Sequence, residues 1–195
     1  MKSRTMLVTA LVAIVASAVL AVSAAARPAQ EGTIVDVAAG NKSFSTLVSL
    51  VKAAGLVNAL SGSTELTVFA PTNKAFASLE KAVPGVTKAL TNPKNKPLLV
   101  QVLKYHVVAG EILSPAAVDA AKKKAKVPTL LGKGAGAQLA LSLKGGKIRI
   151  ADSAGLNKST VITADVEASN GVVHVIDKVL VPATVAKALK KAGLI

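Results

Sequence analysis

The chain predicts an α+β domain, and three observations carry the prediction. Apolar residues follow a helical period through the first half, the period changes to two from Val127 onward, and strands gather after helices without regular alternation. No internal repeat is present, and the length suits one domain with one core.

The helical half follows a short polar leader at residues 27–32. Phe44, Leu47, Val48 and Val51 stand at i, i+3, i+4 and i+7, one face of a helix that Ser43 is placed to cap and Gly55 to end. Leu56 to Leu60 adds a turn before Ser61-Gly62-Ser63 breaks the pattern. Leu66 to Ala70 reads as a buried strand stopped by Pro71, with Thr72 or Asn73 placed to cap a short helix carrying Phe76 and Leu79. Pro84-Gly85 and Asn92-Pro93 punctuate the middle, and Pro97 stands at the entrance of a second strong helix. There Leu98, Val102 and Tyr105 form one stripe and Leu99, Leu103 and His106 the adjoining one, both directed at the core.

In the strand half Leu139, Leu141 and Leu143 alternate with Ala140, Ser142 and Lys144. After Gly145-Gly146 the alternation resumes with Ile148 and Ile150 against Lys147 and Arg149, a hairpin with an apolar inner and a cationic outer face. Asn170-Gly171 offers a second tight turn, between a strand near Val161 to Val166 and another from Val172 to Val181. Pro182 closes that strand, and Ala183 to Leu194 finishes as a lysine-bearing helix.

Ahead of all this, Met1-Lys2-Ser3-Arg4, an apolar run from Met6 to Val22 and the small residues Ser23-Ala24-Ala25-Ala26 compose a secretory signal peptide, residues 1–26, cleaved near Ala26. A retained anchor is the competing reading, because the run approaches the roughly 18 to 20 apolar residues of a spanning helix. The expected location is extracellular or periplasmic. With no cysteine in the chain, lipid attachment at a cleavage-site Cys, disulfides and thiol catalysis are all excluded. The formal charge of +14 favours polyanions: acidic polysaccharide, or lipid headgroups through electrostatic surface contact alone. Excess lysine that merely keeps an apolar protein soluble is the alternative. Nucleic acid is not expected, because Phe44, Phe69, Phe76 and Tyr105 are too few for a base-stacking platform.

Three segments in order resemble the signatures of the fasciclin domain family. They are Thr67-Val68-Phe69-Ala70-Pro71-Thr72-Asn73-Lys74-Ala75-Phe76, then Tyr105-His106 with Val107-Val108-Ala109-Gly110, then Asn170-Gly171-Val172-Val173-His174-Val175-Ile176-Asp177-Lys178-Val179-Leu180-Val181-Pro182. The resemblance extends from about Thr33 to Leu194, within a domain assigned to residues 33–195. It implies a wedge-shaped β-sandwich with a cluster of helices along one side, the first and third segments being central strands. It also implies adhesion or matrix association through a cell-surface or matrix protein or an anionic polysaccharide; a monomer without cofactor or enzymatic activity is expected. The connection from Ile112 to Lys126 departs from the commoner family pattern.

Candidate sites follow. His106 and His174 are the only histidines, no serine stands in a G-x-S-x-G elbow, and neither histidine has carboxylates at metal-ligand spacing, so neither catalysis nor a metal is expected. Tyr105 and His106 are a binding candidate through the family's link to integrin-mediated adhesion in animal relatives, but their helical stripes also give them a core role. Lys122, Lys123, Lys124 and Lys126 form the densest basic cluster and would hold an anionic polymer, with Lys187, Lys190 and Lys191 on the last helix and Lys147 and Arg149 on the hairpin as further candidates. On a helix the cluster would spread charge around the circumference. Asn41-Lys42-Ser43 and Asn157-Lys158-Ser159 satisfy the N-glycosylation sequon. The rival function is a small-ligand carrier or weak hydrolase using a pocket near His106 or His174.

Overall fold

The computed structural model describes residues 32–132 and 134–193. The expected signal peptide, residues 1–26, and all but the last residue of the expected leader lie outside the described residues.

The first helix, α1 (Ile34–Gly40), opens on a capping box in which Thr33 and Asp36 each accept the other's backbone N–H. A 3-10 turn, Lys42–Phe44, leads into α2 (Ser45–Ala54), which Gly55 ends in the left-handed conformation at φ 73°. Ser43 does not cap α2. Asn41 caps the 3-10 turn by accepting the Ser43 N–H at 2.9 Å, and the free N–H of Thr46 is taken at 3.0 Å by Asn73, 27 residues along the chain. The short α3 (Val57–Leu60) precedes β1 (Leu66–Pro71), buried at every position. Thr72 caps α4 (Asn73–Ala82), and α5 (Val86–Thr91) begins where Glu80 accepts the N–H groups of Gly85 and Thr87. Pro97 stands in the first turn of α6 (Lys96–Tyr105), followed by β2 (Val107–Ala109).

The connection from Ile112 to Lys126 contains a helix, α7 (Ser114–Lys122), before β3 (Lys126–Pro128). The expected hairpin is β4 (Gln138–Lys144) and β5 (Lys147–Ala151), and β6 (Lys158–Ala168) is longer than its apolar core suggested. β7 (Gly171–Ile176) stops well short of Val181. Its path is broken because Asp177 accepts the Thr160 N–H at 2.7 Å, while the donors of Leu180 and Val181 go to the His106 ring and the Asp152 carboxylate instead of a neighbouring strand. The last helix, α8, covers Ala183–Lys191.

The strands form one sheet in the order β2-β1-β7-β6-β5-β4-β3, parallel at β1/β7 and antiparallel elsewhere. β6 joins its two halves: Lys158, Ser159 and Thr160 pair with β5, and residues from Val161 on pair with β7 through two register shifts. Alternation along the two signature strands then divides the interior. Val68, Ala70, Val173 and Val175 pack against the helices, whereas Phe69 and Ile176 meet Leu139, Leu141, Ile148 and Ile150 from the other half of the sheet. The α+β arrangement that the resemblance implied is therefore present, its two faces being halves of one near-barrel sheet, with helices on one side.

Asn170 and Gly171 do more than turn the chain. The buried Asn170 side chain donates to the Leu60 and Gly62 carbonyls and accepts the Ile34 N–H, tying α1 and α3 to the end of the sheet. Gly171 has φ 140°, and a Cβ there would overlap the Leu66 carbonyl oxygen and stand 2.7 Å from the Leu66 nitrogen.

Candidate functional site

Helix α6 ends by placing Tyr105 and His106 inside the molecule, with 0 % and 3 % of their surfaces exposed. The Tyr105 hydroxyl donates to the Gln138 carbonyl and accepts the Ser153 N–H, both at 2.8 Å. Burial raises its pKa, opposed by the Ser153 bond. His106 accepts the Leu180 N–H on Nε2 at 3.0 Å, which requires the proton on Nδ1, and Nδ1–H donates to the Val102 carbonyl at 2.8 Å. Burial lowers its pKa to about 4, with the Val102 bond working against the shift. The pair thus clamps α6, the β4 entrance and the segment after β7 together, and neither side chain reaches solvent.

His174, in mid-strand on β7, is 1 % exposed and stacks on Phe69 with ring centroids 5.6 Å apart. Its Nε2 donates to the Ile112 carbonyl at 2.7 Å and its Nδ1 accepts the Asp165 N–H at 3.3 Å. Both histidines therefore spend both ring nitrogens on backbone groups. Asp152 is another buried hub, accepting the N–H groups of Leu156, Asn157 and Val181; burial raises its pKa, against those bonds. The cavity beside His106, between α1, α2, α3 and the β1/β7 pair, is about 40 Å³ and lined almost wholly by aliphatic groups such as Leu47, Val51 and Val68. Small-molecule pockets begin at roughly 300 Å³. Among the described residues no group of three or more His, Cys, Asp or Glu could hold a metal ion.

The lysine run is split by the fold. Lys122 closes α7 and pairs with Asp119 at 3.4 Å, with both side chains mostly exposed. Lys123 is the C-cap, Lys124 turns left-handed at φ 52°, and Lys126 enters β3. The turn is a Schellman motif, in which Lys124 and Ala125 donate to the Ala121 and Ala120 carbonyls, with lysine where glycine is usual. The cluster is therefore not a helical face.

Strand register assembles a different one. Lys144 faces Lys147, Arg149 lies between Ser142 and Thr160, and Lys126 and Lys158 flank Ala140 and Ala151 in the next row. By pleat alternation these residues share the outer face, opposite the buried Leu139, Leu141, Ile148 and Ile150. Lys144 and Lys158 were absent from the sequence candidates; Lys144 continues the hairpin's own outer alternation, whereas Lys158 joins the face only through the pairing of β6 with β5. Lys187, Lys190 and Lys191 lie on exposed positions of α8. Of the two sequons, Asn41 is exposed, whereas the Asn157 side-chain amide donates to the Val179 carbonyl at 3.1 Å.

A mixed helix-and-sheet domain built round two distant signature strands, with its polar centre closed, is the class of protein described. The chain belongs to the fasciclin domain family, whose model matches residues 42–182. It is 49% identical over 150 residues to protein sll1483 of Synechocystis, covering 77% of this chain and 73% of that one. It is 39% identical over 155 residues to pig transforming growth factor-beta-induced protein ig-h3, covering 77% of this chain and 19% of that protein. The cell surface glycolipoprotein MPB83 of Mycobacterium bovis is 33% identical over 150 residues, 74% of this chain and 58% of its own length. Among solved structures, a FAS1 domain pair from the insect cell adhesion molecule Fasciclin I superposes with a TM-score of 0.69 at 20% identity, over 80% of this chain and 53% of that one. The family is known in cell adhesion and surface proteins, and among the described residues no helix is long and apolar enough to cross a membrane.

Proposed function

We propose that the protein is an exported surface-association module that binds a cell-surface or matrix protein or an anionic polysaccharide and performs no catalysis. In this reading residues 1–26 are removed as a signal peptide and the domain at residues 33–195 works as a monomer through its exterior. The observation that carries it is the closed centre: Tyr105, His106 and His174 are buried with their polar atoms bonded to backbone, so the groups available to a partner are on the surface. The excess of 24 Lys and Arg over 10 Asp and Glu supports an anionic partner. The similarity to a mycobacterial cell surface glycolipoprotein supports a surface setting.

The test expresses the full-length chain, determines the N-terminus of the exported product, and captures partners from cell-surface extracts and a glycan panel at low and high salt. A product beginning near Arg27 that retains an anionic glycan at low salt and releases it at high salt is the expected result. Retention inside the cell, or turnover of the captured glycan, would overturn the reading.

A further inference from the structure

We infer that the outer face of the β3-β4-β5-β6 half-sheet, centred on Arg149, is an anion-binding platform for the carboxylate or sulfate groups of an acidic polysaccharide. The inference rests on the surface-association reading and assigns it a site. Three observations converge on this face.

The first is an excess of positive charge. Lys126, Lys144, Lys147, Arg149 and Lys158 come from four adjacent strands and point the same way. Two grooves meet at Lys144 and Arg149, of about 290 and 340 Å³, and the single acid lining them is Asp177. Its Oδ1 is already occupied, accepting from the Thr160 N–H and the Ser159 hydroxyl.

The second is an unmatched donor. Arg149 Nε is covered from solvent and has no hydrogen-bond partner within the protein. A covered N–H without an acceptor costs free energy, and a small turn of the side chain toward an anion in either groove recovers it. A guanidinium presents its donors as a fork that matches carboxylate and sulfate oxygens, whereas the lysines around it act as point charges.

The third is the floor. Ala140, Ser142, Ala151 and Thr160 are short and half-buried, leaving a shallow surface between cations that a ribbon-like polymer can lie along. No aromatic stands there: Phe44, Phe69, Phe76 and Tyr105 are all buried elsewhere, so the face offers no base-stacking platform. Of the large apolar side chains lining the grooves, Leu143 is half-buried and Ile162, 53 % exposed, stands at the margin, too little for insertion into a lipid interface. A polysaccharide needs neither.

The experiment titrates purified full-length protein with dextran sulfate, polygalacturonate and uncharged dextran, with single-stranded DNA and phosphatidylserine vesicles as competing polyanions. Two variants remove equal charge: Lys144→Gln/Lys147→Gln/Arg149→Gln on the sheet, and Lys187→Gln/Lys190→Gln/Lys191→Gln on α8. The sheet variant should weaken binding of an acidic polysaccharide by about tenfold or more, and the α8 variant by no more than about twofold. Arg149→Lys, which keeps the charge and loses the fork, should weaken binding several-fold without lowering the melting temperature. Amide shifts of Ala151 and Thr160 in the unaltered protein, on addition of polygalacturonate, report the site even where the triple variant unfolds. Equal losses in the two triple variants, or shifts confined to α8, overturn the site and leave surface association standing. Failure of the unaltered protein to bind any acidic polysaccharide overturns the site and the polysaccharide reading together, and tighter binding of DNA or vesicles overturns the choice of occupant.

Discussion

Lowering the pH from 7.5 to 4.5 should remove roughly 2–3 kcal/mol of stability through one residue, His106. Its Nε2 holds the Leu180 N–H, so a second ring proton has no place unless that bond breaks. Burial keeps the imidazole near 4, against 6.5 for the free side chain. Because the folded pKa is the lower, the unfolded chain binds more protons between these values; stability is whole above pH 6.5 and drains away as the pH falls toward 4. At 1.36 kcal/mol per unit the full shift is worth about 3 kcal/mol, a large part of the 5–15 kcal/mol of a typical domain. Urea unfolding across this pH range should compare the protein with His106→Gln, whose amide can donate to Val102 and accept from Leu180 but does not titrate. Asp36 and Glu80, lowered by their Thr33 and Thr87 bonds, and Asp152, raised by burial, titrate in both proteins and cancel in the difference. Parallel curves for the two proteins would refute a neutral, sealed His106.

Other perturbations read other parts of the frame. Tyr105→Phe removes the hydroxyl's bonds to the Gln138 carbonyl and the Ser153 N–H and should cost about 1–3 kcal/mol by thermal melting, with ligand affinity unchanged at temperatures where the variant is folded. Tyr105→Ala should cost about 3–5 kcal/mol. Gly171→Ala forces a Cβ into the Leu66 backbone and should remove at least about 4 kcal/mol, seen as loss of a cooperative melt; a wild-type melting temperature would contradict the register of β1 with β7. Lys124→Gly relieves a left-handed lysine and should add about 0.5–1 kcal/mol in denaturant titrations while leaving polysaccharide affinity as it was.

Elements governed by a local rule were legible in the sequence. Gly55, Thr72, the Gly145-Gly146 hairpin and the two stripes of α6 stand where spacing and turn chemistry put them. What escaped depends on partners distant in the chain. The α2 cap comes from Asn73, and the end of β7 is set by His106 and Asp152, because Val179, Leu180 and Val181 by themselves continue a strand. Helix α7 buries only Ala117 and Ala121, residues too small to write an apolar stripe. The same division applies to the site. A core role for Tyr105 and His106 follows from helical spacing, but a run of adjacent lysines resembles a patch only until a helix end, a left-handed turn and a strand send them in different directions. The sheet face requires the register of four strands, and no single segment carries that.

The parallel pairing of β1 with β7 also bears on how the molecule comes to exist. Its partners, Leu66 with Gly171 through Pro71 with Ile176, lie about a hundred residues apart, so a long loop must close before the middle of the sheet can form. Neither hydrophobic cluster can be completed while the last strand is still missing, since each draws residues from β7 or the segment that follows it. A chain emerging from synthesis thus reaches its final quarter before it can assemble. The two halves of the interior therefore close together, in one late step, and not one after the other as the chain lengthens.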